Sequence, residues 1–145
     1  MAPALTPALA LDYVRELSAD VRATIVLDGA GGLLAGPPQL AAAARALLAA
    51  GGDAAELEAV SRDAVVCAVR SPEHAAVAVC GRFAIAGVVR QDLRAALAAL
   101  AGRAPDAAAA AARPPQPAAP AGSPPDPLAQ AANELSAACQ RAFGA

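Results

Sequence analysis

The sequence predicts an α+β fold: two layers, with an antiparallel sheet of about five strands and helices in the order α-β-β-α-β-β-β-α. Three observations carry this. Helical and strand-like apolar patterns alternate along residues 1–102. The strand-like runs "VRATIVL", "AVVCAVR" and "HAAVAVC" are short and rich in Val and Ile, and the last two are joined directly by a turn, as neighbouring antiparallel strands are. At residue 103 the composition breaks sharply. The chain therefore divides into a domain over residues 1–102, a Pro/Ala-rich linker over 103–127 and an amphipathic helix over 128–145.

The first helix opens at Thr6 and Pro7, an N-cap oxygen followed by a residue suited to the first turn. Leu9, Tyr13, Val14 and Leu17 follow at helical spacing, and the helix ends near residues 18–20. Residues 21–27 form a strand. Asp28 to Gly32 bend the chain, and residues 33–35 return as a second short strand. Pro37 and Pro38 then start the helix "QLAAAARALLAAGG", with Leu40, Ala43, Ala44 and Leu47 on one face and Gly51 and Gly52 as its stop. Residues 57–60 give a short strand. Residues 64–70 and 74–80 form a hairpin about "SPE", Pro72 taking a central turn position. Both arms are apolar at consecutive positions, as in strands covered on two faces. After the loop "GRFAIAG", a helix over residues 88–101 turns Val89, Leu93, Ala96, Leu97 and Leu100 inward and Arg90, Gln91 and Arg94 outward.

Residues 103–127 hold eight prolines and a run of six alanines, the composition of a linker. In the tail, Asp126 and Pro127 can start a helix whose stripe is Leu128, Ala132, Leu135, Cys139 and Ala142. Two heptads with alanine at two positions make a weak isolated coiled coil, so the stripe calls for docking onto the domain or a partner. Deleting residues 103–145 is expected to leave the domain folded.

Composition excludes several function classes. Hydrophobic residues make up 57% of the 145, but about a third of the chain is alanine, and there are two Phe, one Tyr and no Trp. The core is expected to be small and built of Leu, Val and Ile. All eleven basic residues are Arg, the net charge is −2, and no basic block or aromatic surface suits nucleic acid. No run of about twenty large apolar residues spans a membrane. The N-terminal segment lacks a positive leader and carries Asp12, Arg15 and Glu16, so it reads as a helix and not as a signal peptide. Cys67, Cys80 and Cys139 have no CxxC spacing and read as small buried residues of a reducing cytoplasm. In the 64–80 hairpin, Cys67 lies opposite residue 77 or 78 and Cys80 one or two pairs further on, beyond disulfide reach.

The "GAGGLLAG" loop invites a nucleotide reading. A phosphate-binding loop needs a lysine and a hydroxyl after its glycines; here Leu33 and Leu34 follow, and the chain has no lysine. A dinucleotide loop opens directly into a helix; here a strand and two prolines intervene. The loop is read as a hairpin turn, its glycines serving turn geometry. His74, the one histidine, lies six residues from Cys80 on the same strand, about 20 Å at strand rise, too far to act as its base. No acidic pair or metal spacing is evident, and no catalytic residue, cofactor or metal site is assigned.

The segments "LDYVRELSADVRATIVLDGAGGLLAG", "DAVVCAVRSPEHAAVAVCGRFAIAG" and "VVRQDLRAAL", with the alanine-rich helix between them, resemble the bacterial branch of the roadblock/dynein light chain family over about two-thirds of the chain. The resemblance implies a non-enzymatic homodimeric module that scaffolds or regulates a small Ras-like GTPase, with the second helix and middle strand at the dimer interface. The residues agree in one respect: Ala41, Ala42, Ala46, Ala49 and Ala50 make helix 39–50 apolar beyond its core face, as expected of a helix buried on more than one side. Ala42, Ala46, Ala49 and Leu57 are the candidate dimer contacts. Arg82, Arg90 and Arg94 are candidate contacts to an acidic partner. An arginine finger is not implied, because family members acting on GTPases reposition the GTPase's own elements. The alternative is a small-molecule-binding sensory domain of profilin- or PAS-like appearance, with a pocket between the sheet and "GRFAIAG"; the strands offer such a pocket almost no polar groups.

Overall fold

The computed structural model describes residues 5–102 and 127–143. The elements are α1 (Pro7–Leu17), β1 (Val21–Asp28), β2 (Leu33–Ala35), a single 3₁₀ turn (Pro38–Leu40) leading into α2 (Ala41–Ala50), β3 (Glu56–Val60), β4 (Ala64–Arg70), β5 (His74–Gly81), α3 (Ala86–Leu100) and α4 (Pro127–Phe143). The strands form one antiparallel sheet in the order β2-β1-β5-β4-β3. This is the expected α+β class with five strands. The linker expected over residues 103–127 lies outside the described residues except for Pro127, the first residue of α4.

Strand periodicity sorts the apolar residues onto two faces. Ala23, Ile25 and Leu27 of β1, Ala64, Val66 and Ala68 of β4, and Val77 and Val79 of β5 join Leu40, Ala44 and Leu47 in one core. The alternate residues Val26, Val65, Cys67, Val69, Ala76, Ala78 and Cys80 join Val14 of α1 and Val89, Leu93, Leu97 and Leu100 of α3 in the other. The helices thus divide between the faces, and the molecule has three layers where element order alone suggests two. This is why the central strands carry no polar alternation.

The first core also takes in Ala131, Ala132, Leu135 and Cys139 of α4. This helix docks in cis beside α2 and reaches across to β3. The tail stripe read from the sequence is therefore a core-facing stripe, with Leu135 fully buried. The expected independence of residues 1–102 meets this directly, since one side of their sheet is completed by α4.

Local signals explain the boundaries. The Thr6 hydroxyl accepts from the Leu9 amide at 3.3 Å and caps α1. The strand β3 begins at Glu56, one residue earlier than expected, and pairs with β4 from Glu56↔Val69 to Val60↔Val65. Gly36 has φ of 111° where β2 leaves the sheet, and a Cβ there would lie 2.7 Å from the Thr24 carbonyl oxygen. No described helix is long and apolar enough to cross a membrane.

Candidate functional site

The glycine loop is a turn held by its own aspartate. The Asp28 amide donates to the Gly32 carbonyl at 2.8 Å, and the Gly31 amide to the Asp28 carbonyl at 3.0 Å. One Asp28 carboxylate oxygen, Oδ1, accepts from the amides of Ala30 and Gly32 at 2.9 and 2.7 Å. Such side-chain-to-backbone bonding fixes a tight bend. Amides that a phosphate would need are already bonded to Asp28.

The candidate dimer residues fall in two kinds of place. Ala42, Ala46 and Ala49 are exposed in one row along α2, at positions i, i+4 and i+7. Leu57 stands on β3, the edge strand opposite β2, but its side chain is buried in the α2-side core. A Cβ on Gly51 would overlap the Leu57 methyl groups, so Gly51 both ends α2 and makes room for Leu57.

The three arginines do not converge. Arg90 and Arg94, expected to face outward, fold back onto β3. Arg90 Nη1 donates to Glu58 at 2.7 Å and its Nε lies 3.5 Å from Glu56, while Arg94 pairs with Glu56. The reason is strand alternation: Leu57 and Ala59 enter the α2-side core, so Glu56 and Glu58 point toward α3 and draw in its basic residues. Arg82 is exposed, its guanidinium 4.5 Å from the Phe83 ring centroid. Around it Phe83 and Ile85 are among the most exposed large apolar residues, at 80% and 70%.

Nucleophilic chemistry finds no support among the described residues. Burial pushes the Cys67 and Cys80 thiols up to about 12, and burial also raises that of Cys139. All three cysteines are free; Cys67 faces Ala78 and Cys80 faces Val65, two pairs along the ladder. His74 and Cys80 stand near opposite ends of β5. No group of three His, Cys, Asp or Glu side chains among the described residues is placed to hold a metal ion.

The sequence reading missed a cavity of about 360 Å³ at the end of the sheet where the β1–β2 turn, the β4–β5 turn and the C-terminal end of α2 meet. Asp28, Arg45, Arg70, Ser71 and His74 supply its polar lining. Arg45 Nε donates to the Gly31 carbonyl at 2.6 Å, and a terminal nitrogen of Arg70 donates to the Leu48 carbonyl. The register Asp28↔His74 brings the two turns together. The one available signal was Arg45, a lone charge in an alanine helix; its destination depends on the β1–β5 pairing, which no local pattern reveals.

No protein-family model matches the chain, and no curated protein matches its sequence. Its structure is similar to solved ones. Two are Roadblock/LC7 domains from Streptomyces avermitilis: one at 18% identity, covering 61% of this chain and 91% of that one with a TM-score of 0.51, the other at 12% identity, covering 69% and 97% with a TM-score of 0.56. A third, MglB with a tetrameric arrangement, is 18% identical over 87% of each chain with a TM-score of 0.46. The first two likenesses show the fold: the chain has the Roadblock/LC7 fold.

Proposed function

We propose that this protein is a dimerising, non-enzymatic scaffold or regulatory module that works with a small Ras-like GTPase. The observation that carries the reading is the outer face of α2, where Ala42, Ala46 and Ala49 form an exposed row of small residues. Small side chains let a second helix approach closely. Nearby, β3 ends the sheet with one hydrogen-bonding edge unpaired, a natural place for a strand of a second copy to add. The second copy would meet α2 and β3 together, with Leu57 supporting the interface from beneath. The GTPase follows from the family resemblance alone. Regulation of this kind needs differential contacts with two states of the partner and no catalytic residue here. The buried thiols and the separation of His74 from Cys80 support the non-enzymatic reading. Arg82, with Phe83 and Ile85, is the exposed candidate for partner contact.

Light scattering on the full chain should give about twice the chain mass of 14.1 kDa. Ala46→Arg should give the chain mass with an unchanged circular dichroism spectrum. A GTP-loaded small GTPase should form a complex with the dimer or change its hydrolysis rate. A wild-type monomer at all concentrations would sink the dimer; a dimer indifferent to small GTPases would remove the partner and leave the scaffold.

A further inference from the structure

We propose that the cavity between the β1–β2 and β4–β5 turns binds a phosphate-sized oxyanion, free or as the end group of a small phosphomonoester. This goes beyond the scaffold reading and does not depend on it.

The cavity's electrostatics point that way. Arg45 and Arg70 both line it, and neither has a carboxylate within salt-bridge distance; the ion pairs among the described residues all join α3 to β3. Arg45 uses its Nε on Gly31, and its two terminal nitrogens have no partner among the described residues. Two of the four buried side-chain polar atoms without a hydrogen-bond partner among the described residues are the Nε of Arg70 and the Nδ1 of His74, both on cavity-lining residues. Buried polar groups are nearly always bonded, so two such atoms in the wall of one cavity mark that wall as incompletely satisfied. The one carboxylate in the lining, Asp28, is held by the turn amides of Ala30 and Gly32. Two arginines and a histidine thus line a space bounded elsewhere by small residues such as Gly29, Gly31 and Ala75. Guanidinium forks match the geometry of phosphate oxygens. The volume exceeds what a lone ion needs and lies within the range of small-ligand sites.

The test is an amide chemical-shift titration of the full chain at constant ionic strength, with inorganic phosphate in one arm and ribose 5-phosphate in the other. Saturable shifts at Gly29, Gly31, Ser71 and Ala75 are expected in both, tighter with the ester. Equal affinities would assign the free ion as ligand. Arg45→Gln removes a side chain whose one bond is to the turn, and should weaken binding roughly tenfold with the fold intact. Arg70→Gln should do the same; because Arg70 also bonds the end of α2, His74→Gln serves as the second variant if Arg70→Gln does not fold. Absence of saturable shifts with both probes overturns the proposal, as does wild-type affinity in Arg45→Gln.

Discussion

Gly36 and Gly52 both have positive φ, at 111° and 59°, but their surroundings differ. A Cβ at Gly36 would meet the Thr24 oxygen at 2.7 Å and the Ile25 Cα at 2.9 Å, whereas nothing lies within 4 Å of one at Gly52. Gly36→Ala combines backbone strain with a clash against the central sheet and should cost about 3 kcal/mol or more. Gly52→Ala should cost about 1–2 kcal/mol, the left-handed conformation alone. Equal losses in urea melts would show that the close approach at Gly36 does not matter. Asp92 offers a pH-dependent case. Its Oδ2 is buried without a hydrogen-bond partner, and burial raises its carboxyl above the ordinary 3.8. Above 3.8 the unfolded chain ionises first, so the fold loses stability until the pH exceeds the folded value and the penalty is complete. Asp92→Asn should therefore raise the melting temperature modestly at neutral pH. The gain should vanish as the pH falls below about 3.8. A gain that persists there would assign it to packing.

At the scale of elements, long runs were legible and choices between competing faces were not. The cap of α1, the β1 and β2 strands and the 64–80 hairpin follow from local chemistry, which acts within a few residues. Of the residues expected along α1, Leu9, Tyr13, Val14 and Leu17, the structure buries Val14, together with Ala10 and Leu11, and leaves Leu9, Tyr13 and Leu17 exposed. Two apolar stripes compete on that helix, and antiparallel docking against α3, seen in the Leu5 amide bond to the Ala99 carbonyl, selects the one with the smaller residues. Arg90 and Arg94 were misdirected for the same reason: their direction depends on Glu56 and Glu58, more than thirty residues away. The cavity residues Arg45, Arg70 and His74 likewise meet only through sheet pairing. In α4 the heptad pattern was legible but its target was not. Leu135 is fully buried in the α2-side core, so Leu135→Ala should cost about 2–5 kcal/mol by denaturant unfolding. A loss below about 0.5 kcal/mol, the ordinary effect of a surface change, would place α4 outside the cooperative unit.

At the scale of the molecule, α3 and α4 lie on opposite faces of the sheet, and residues 103–126 join them. That many residues can reach about 80 Å when extended, several times the separation of two packed layers. The tether therefore sets the local concentration of α4 without dictating which copy it covers, and α4 from one protomer could dock on its own domain or on a neighbour's. Its binding face is the same in either case: Ala131, Ala132, Leu135 and Cys139 against the sheet beside α2. Residues 1–102 alone should melt below the full chain and bind a hydrophobic dye, because the part of the α2-side face that α4 covers is exposed. A peptide of residues 127–143 should restore the missing stability when added at about millimolar concentration, the order of effective concentration that covalent linkage gives. Leu135→Asp in that peptide should abolish the rescue. If residues 1–102 melt like the full chain and bind no dye, α4 contributes nothing to the core and the sheet face is complete without it. If they are destabilised but the peptide does not restore them, docking requires the covalent connection, and exchange of α4 between protomers is excluded.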